Sequence, residues 1–248
     1  MGVGSQRVAL EDPKQASLFM MKGKYPDLFL MGNLGFSQLQ ALNALELCQK
    51  AVDMIEADAL AVHCNVLQEV LQEEGHRDFR GILRSLEVIC SKLNVPVVIK
   101  EVGMGISPSI AKTLENIGVK AIDVGGKGGT SWGYIEGLRS KNLETRALGD
   151  CFRDFGIPTA KALTRIKDSG VQLPLIATGG IRSGLMVAKA VGLGATFAGI
   201  GLPLLKAAMI SSDEVKQVIA HFIKELRISM LISGARDLKE LSHKITTS

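Results

Sequence analysis

The sequence predicts a parallel α/β chain of the (β/α)-barrel class, and three observations predict it. Short apolar runs rich in β-branched residues alternate with amphipathic segments along the whole length. The runs are continuously apolar rather than alternating, which suits strands covered on both faces. A glycine or polar cluster follows nearly every run, as the loops at the C-terminal face of a barrel require, whereas an open sheet gathers its ligands at one switch point.

In chain order the expected strands are Met1–Gly4, Leu28–Met31, Ala59–His63, Val97–Lys100, Lys120–Val124, Leu173–Ala177 and Thr196–Ile200. Between them, Leu39, Leu42, Leu45 and Leu47 mark one helix, and Ile82, Leu83, Leu86, Ile89 and Cys90 a second. Ser107-Pro108 reads as an N-cap followed by proline at the first helical position. Leu185, Val187, Ala188 and Val191 mark another helix, and the apolar face from Val215 to Leu226 an outer packing helix, with a further segment around Leu231 to Leu241. The stretches Asn65–Arg80 and Gly125–Pro158 read as long loops. Seven units are counted where a closed barrel has eight, and the chain opens already inside a strand. The expectation is a (β/α)8 TIM barrel lacking its first strand–helix unit, a single domain over residues 1–248 that is incomplete at its N-terminus.

With 46% hydrophobic residues and only 4% aromatics, the chain can bury a full, mainly aliphatic core. The net charge of +4 is scattered, with no basic block, which argues against nucleic acid and fits a small anionic substrate. Cys48, Cys64, Cys90 and Cys151 form no C-x-x-C pair and read as reduced core residues. Reduced cysteines fit a cytoplasmic protein, and no apolar run approaches the roughly 18 residues of a membrane span.

Four stretches point to chemistry. Asp123–Trp132, DVGGKGGTSW, ends a strand in a glycine cluster whose N–H groups are expected to face a polar or anionic ligand, beside the hydroxyls of Thr130 and Ser131 and the only Trp. Ile176–Gly184 and Ala198–Pro203 form the pair of late loops that commonly cradles a phosphate in barrels, with Arg182 adding a charge-assisted contact. His63–Glu69, HCNVLQE, offers hydrogen-bonding side chains and a carboxylate; a carboxylate facing phosphates suits Mg²⁺, while Glu69 alone would read as a solvated helix charge and His63 alone as a core histidine. Lys100, at a strand end, suits a flavin's N1 region or a substrate anion, or else an ion pair with Glu101. Walker A, Rossmann, serine-hydrolase and metalloprotease patterns are absent.

Taken in order, GVGSQR at Gly2–Arg7, GNLG at Gly32–Gly35, HCNVLQE at His63–Glu69, VPVVIKEVGMGIS at Val95–Ser107, DVGGKGGTSW at Asp123–Trp132, FGIPT at Phe155–Thr159, ATGGIRSG at Ala177–Gly184 and LPLLKAA at Leu202–Ala208 resemble the type 2, FMN-dependent isopentenyl diphosphate isomerases. The resemblance runs through essentially the whole chain. It implies interconversion of isopentenyl and dimethylallyl diphosphate with reduced FMN, electrons from NADPH, and Mg²⁺, with no net redox change. It implies that Ser5, Asn33, Lys100, Thr130, Gly180, Ile181, Arg182, Gly201 and Leu202 hold FMN. Ser5, Gln6, Arg7 and Gln68 would meet the substrate, with His63 and Asn65 near its diphosphate. Glu69 would hold Mg²⁺, and Gln68, Trp132 and Glu136 would serve the reacting end. A homo-oligomer, tetramer or larger, is implied as well.

The family also carries a further N-terminal portion, with a basic–histidine segment gripping diphosphate and a methionine–threonine–double-glycine motif under the flavin, that this sequence lacks. Weak FMN binding and weak or absent turnover are therefore expected of this stretch by itself. Two other readings stand beside the isomerase. One is another FMN- or phosphate-binding barrel oxidoreductase, although the hydroxy acid oxidases use a late histidine and no His lies between His76 and His221. The other is an inactive barrel fragment.

Overall fold

The computed structural model describes residues 1–244. Among them are six strands, β1 (Met31–Gly35), β2 (Ala59–Cys64), β3 (Val97–Glu101), β4 (Ala121–Asp123), β5 (Leu175–Ala177) and β6 (Phe197–Ala198). The helices are α1 (Arg7–Glu11), α2 (Ala44–Ile55), α3 (Val66–Leu71), α4 (Ile82–Lys92), α5 (Pro108–Asn116), α6 (Trp132–Arg139), α7 (Leu143–Cys151), α8 (Thr159–Asp168), α9 (Gly184–Gly192), α10 (Leu202–Ala208), α11 (Ser212–Ile232) and α12 (Leu238–Lys244). The strands follow one another in sequence order, and the pairs β1/β2, β2/β3 and β5/β6 are parallel. That order, with helices between successive strands, is the barrel's order and not that of a doubly wound sheet, which reverses at its switch point.

The chain divides into two compact units, one of residues 1–102, 109–122 and 132–153, the other of residues 103–108, 123–131 and 154–248. The core of the first is aliphatic: Leu30, Leu34, Leu39, Ile55, Leu60, Val62, Ile89 and Ile122 are sealed from solvent. Helix α2 shows why it packs. Cys48, Ala51, Val52 and Ile55 recur at the helical spacing of one buried stripe. In the second unit, Ala188 and Val191 of α9 pack with Ala235 and Leu241, and Leu226 and Met230 of α11 close over them.

Several elements depart from expectation. The run Met1–Gly4 is extended and lies beside β1, but only Gly2 forms a bridge, to Met31. Strand β1 lies three residues later than expected, so Gly32 and Asn33 sit inside the strand and not in the loop after it. The glycine is tolerated there because a side chain approaches: a Cβ at Gly32 would come within 2.9 Å of Gln6 Oε1. The leucine-marked helix is two elements, a 3₁₀ turn at Phe36–Gln40 and then α2, with Leu42 fully exposed between them. The loop expected over Gly125–Pro158 contains α6 and α7, which pack on one another. Helix α11 buries Phe222 and Ser229 but leaves Leu231 and Ile232 exposed.

Candidate functional site

In the first unit, pairing register sets the site. Gly35, His63 and Lys100 are partners across β1, β2 and β3, so they form one row near the strands' C-terminal ends. Asn33, two residues before Gly35, faces the same way and meets His63 Nδ1 at 2.7 Å. Asn33 Nδ2 already donates to Val3 O at 2.9 Å, so its Oδ1 accepts, and His63 carries its proton on Nδ1. Burial first, then the Lys100 ammonium, pull the His63 pKa down to about 4, with Glu69 opposing. The imidazole is neutral at neutral pH and its Nε2 is an acceptor. Contact with a phosphate oxygen requires it to take up a proton, which an approaching anion favours.

Beyond β2 the chain turns at Asn65 into α3. One turn of helix brings Asn65, Gln68 and Glu69 together. Asn65 Nδ2 donates to Glu69 Oε1 at 3.2 Å and to Gln68 Oε1 at 3.3 Å. Glu69 Oε2 accepts from the main-chain N–H of His76 at 3.0 Å. Gln68 Nε2 donates to Glu136 Oε1 at 2.8 Å. Asn65, Glu69 and Glu136 are all buried, and Asn65 Oδ1 has no hydrogen-bond partner. Trp132 opens α6 one turn before Glu136, on the same helical face, and is 45% exposed.

Glu136 reaches Gln68 because α6 crosses α7 at glycines. A Cβ at Gly149 would lie 2.7 Å from Gly137 Cα, and one at Gly133 would lie 2.7 Å from the Leu67 side chain. The G-x-x-x-G spacing of Gly133 and Gly137 was the available signal for this crossing. Asn142 caps α7 by accepting from the N–H groups of Glu144 and Thr145.

In the second unit part of the glycine cluster is spent on the fold itself. Gly125 N donates to Asp123 Oδ1, Gly126 N to Thr178 O, and Lys127 N to Ile157 O, so these three N–H groups hold the fold rather than await a ligand. Asp123 also accepts from the Thr178 hydroxyl and is buried. The glycines lack side chains because two turns stack main chain on main chain. A Cβ at Gly179 would strike the Gly126 carbonyl, and one at Gly180 would lie 2.7 Å from Gly128 C. Thr159 ties the pair, its single hydroxyl proton shared between Gly179 O at 2.7 Å and Thr178 O at 3.1 Å. Arg182 Nη2 donates to Gly128 O at 3.0 Å. Ile181 is buried beneath the turn, and Ser183 caps α9 through Met186 N. Gly201 precedes α10 and differs from its fellows: a Cβ there would meet no protein atom within 4 Å.

Gln6 departs from its expected part in substrate contact. It is fully buried, with Oε1 accepting from Asn33 N and Nε2 donating to Ala51 O, both at 2.8 Å. It fastens the N-terminal segment to β1. Its neighbours Ser5 and Arg7 are exposed, and Arg7 pairs with Glu11. Lys100 Nζ donates to the Glu101 carbonyl oxygen at 3.1 Å. Not all the cysteines are core residues: Cys151 is exposed. Burial raises the Cys48 and Cys64 thiols to about 12. Sequence reasoning missed Gly75, Gly137 and Gly149, whose work is main-chain packing, and gave Thr159 no role of its own beyond its motif. No described helix is long and apolar enough to cross a membrane.

Residues 36–248 match the profile of the FMN-dependent dehydrogenase family. A protein named isopentenyl-diphosphate delta-isomerase from Nostoc sp. is 45% identical over 243 residues, which span 98% of this chain and 69% of that protein. A protein of the same name from Stutzerimonas stutzeri is 46% identical over 242 residues, 97% of this chain and 70% of its own length. Among solved structures, a mandelate oxidase with 3,3-difluoro-2-hydroxy-3-phenylpropionic acid superposes with a TM-score of 0.60 at 20% identity, covering 87% of this chain and 61% of that one. A GMP reductase from Trypanosoma brucei also gives a TM-score of 0.60, at 18% identity over 97% of this chain and 50% of that one. At such identities these two structures speak to the barrel fold alone.

Proposed function

The chain belongs to the isopentenyl-diphosphate delta-isomerases, within the FMN-dependent dehydrogenase family, and on that premise we propose that it interconverts isopentenyl and dimethylallyl diphosphate using reduced FMN and Mg²⁺. The observation that carries this reading is the buried chain of contacts from Glu136 through Gln68 and Asn65 to Glu69. It joins a proton-exchanging carboxylate to a cation-binding one.

The residues suit the implied groups. Asn65 Oδ1 is a buried acceptor with no partner, a costly state that a cation or a donor on a cation-bound water would relieve. Each Glu69 oxygen has one partner and retains a lone pair. A single carboxylate beside an amide oxygen suits Mg²⁺, which commonly uses one or two carboxylates and completes its shell with phosphate oxygens and water. For FMN, the open space beside Gly201, the Thr130 hydroxyl and the Gly180–Arg182 turn suit a phosphate in the second unit. In the first unit Ser5, Asn33 and Lys100 are polar and cationic side chains of the kind a flavin ring accepts. Leu202 adds an apolar contact beside Gly201.

When bound, reduced FMN would supply acid–base chemistry for exchange of an allylic proton with no net redox change, its electrons coming from NADPH. Trp132 offers a π face to positive charge developing on the isoprene carbons. Gln68 holds Glu136 by Oε1, leaving Oε2 to exchange a proton. Ser5 and Arg7 meet the substrate with His63 near its diphosphate, while Asn65, whose N–H groups are spent on Gln68 and Glu69, offers Oδ1 to the cation beside that diphosphate. Assembly as a homo-oligomer, tetramer or larger, in the cytoplasm belongs to the same reading; exposed Leu205, Met209, Ile210 and Leu231 offer apolar surface for association.

The test is a radiolabelled assay of the purified chain with FMN, a reductant and Mg²⁺ omitted one at a time. Interconversion, however slow, is expected only when all three are present. Interconversion that persists without flavin, or none while FMN is bound, would contradict the proposal.

A further inference from the structure

The segment after α3, QEEGHRDFR at residues 72–80, has a role that the motif reading leaves open. It returns over the helix it has just left. Gly75 N donates to Gln72 O at 3.2 Å, which closes a tight turn. The turn presses on the main chain of Glu69: a Cβ at Gly75 would overlap the Glu69 carbonyl oxygen and lie 2.7 Å from its carbon. Gly75 is not in the left-handed region, so an alanine is acceptable to the backbone itself and only space forbids it. The next residue, His76, points its N–H at Glu69 Oε2. Further on, Phe79 stacks on Phe36 with ring centroids 5.1 Å apart and planes 9° apart, and Gln40 Nε2 donates to Arg80 O at 3.3 Å.

We propose that Gly75 and the main-chain N–H of His76 are positioning elements for the Glu69 carboxylate, held by the Phe36–Phe79 anchor, and that they set the affinity of this site for a divalent cation coordinated by diphosphate. This rests on the reading of Glu69 as a cation ligand. Asn65 fixes one oxygen of the carboxylate and His76 N–H the other, so the carboxylate plane is set before any ion arrives. Such preorganisation lowers the cost of binding a cation that demands regular geometry. Losing one of the two donors lets the carboxylate rotate, so cation affinity falls while FMN affinity, which uses other residues, holds.

The experiment titrates Mn²⁺ into the 248-residue chain with inorganic pyrophosphate, read by electron paramagnetic resonance, for the unsubstituted protein, Gly75→Ala, His76→Pro, Glu69→Gln and Glu74→Ala. Proline at position 76 deletes the N–H without touching Glu69, so it also covers the case in which Gly75→Ala fails to fold. We expect Gly75→Ala and His76→Pro each to weaken Mn²⁺ binding at least tenfold, with FMN affinity within twofold. Glu74→Ala should change neither. Raised Mg²⁺ should recover turnover in Gly75→Ala and His76→Pro, which a general loss of structure would not allow. Full Mn²⁺ affinity in both of these variants beside a weakened Glu69→Gln overturns the positioning role alone. Full affinity in Glu69→Gln, or no Mn²⁺ binding by the unsubstituted chain, overturns the assignment of Glu69 and this inference with it.

Discussion

The side-chain amide of Gln68 donates to Oε1 of Glu136 at 2.8 Å, although 68 positions separate the two residues in the chain. The contact joins the helix that follows β2 to the helical hairpin that follows β4. It fixes the orientation of the Gln68 amide, because Nε2 must face the carboxylate and Oε1 is then turned toward Asn65.

Gln68→Leu keeps the volume and deletes the donor. Glu136 is then left buried with only the longer Arg139 contact, at 3.5 Å. The expected cost is about 1–3 kcal/mol of stability, the penalty for stranding a buried acceptor. Turnover should fall by about 10²-fold or more, as for loss of a positioned acid–base partner. Urea denaturation and initial rates measure the two effects. Full turnover in a destabilised variant would reduce the pair to a structural role.

The hairpin crossing should be as sensitive as the pair it positions. In an isolated helix Gly149→Ala would gain roughly 1 kcal/mol from propensity. Here the added methyl meets Gly137 Cα and the Gly133 carbonyl oxygen, neither of which can move without parting α6 from α7. We expect a net loss of about 1–3 kcal/mol, the usual cost of overpacking, with turnover reduced because Glu136 shifts. A more stable variant would show that the crossing is looser than described.

His63 should leave a mark on stability against pH. The unfolded histidine takes up its proton near 6.5, while the folded one resists until about 4. The unfolded chain therefore binds more protons between those values, and stability falls as pH drops through that window. The full term is present above pH 6.5 and amounts to at most about 3 kcal/mol, less for a half-buried ring. His63→Gln should flatten the denaturation midpoint between pH 6.5 and 4. An unchanged slope would place the titration elsewhere.

Two glycines of the second unit should respond in opposite ways. Gly179→Ala puts a methyl into the Gly126 carbonyl at a φ of 99°, so unfolding or a loss of several kcal/mol is expected. Gly201→Ala meets no protein atom, so stability should stay within about 1 kcal/mol while FMN affinity falls, about tenfold or more. Calorimetry and flavin titration separate the two. Intact FMN binding in Gly201→Ala would move the phosphate away from this turn.

The class of fold was legible because apolar continuity and helical spacing are local properties. The alternation of runs located β2 through β6 to within about three residues at each end, and Ser107-Pro108 marked the start of α5. The site was legible in its residue types but less so in its roles. Gln6 lies in a motif that suggests a ligand, yet it is spent on Asn33 N and Ala51 O, a pairing that depends on a contact 45 positions away. The glycines at 125–129 and 179–180 resemble ligand loops when each is read alone. Their stacking on one another is a long-range relation that no local pattern encodes. Gly75 was hidden for the same reason: nothing in QEEGH says that the turn closes on Glu69.

The most direct test of the central claim is to incubate the chain with isopentenyl diphosphate, pre-reduced FMN and Mg²⁺ in D₂O and to follow product by mass spectrometry and flavin by absorbance. Deuterium is expected in dimethylallyl diphosphate and in recovered substrate, with the flavin still reduced at the end and incorporation suppressed in Gln68→Leu. Flavin oxidised in step with substrate consumed, or product formed without solvent deuterium, would contradict the claim.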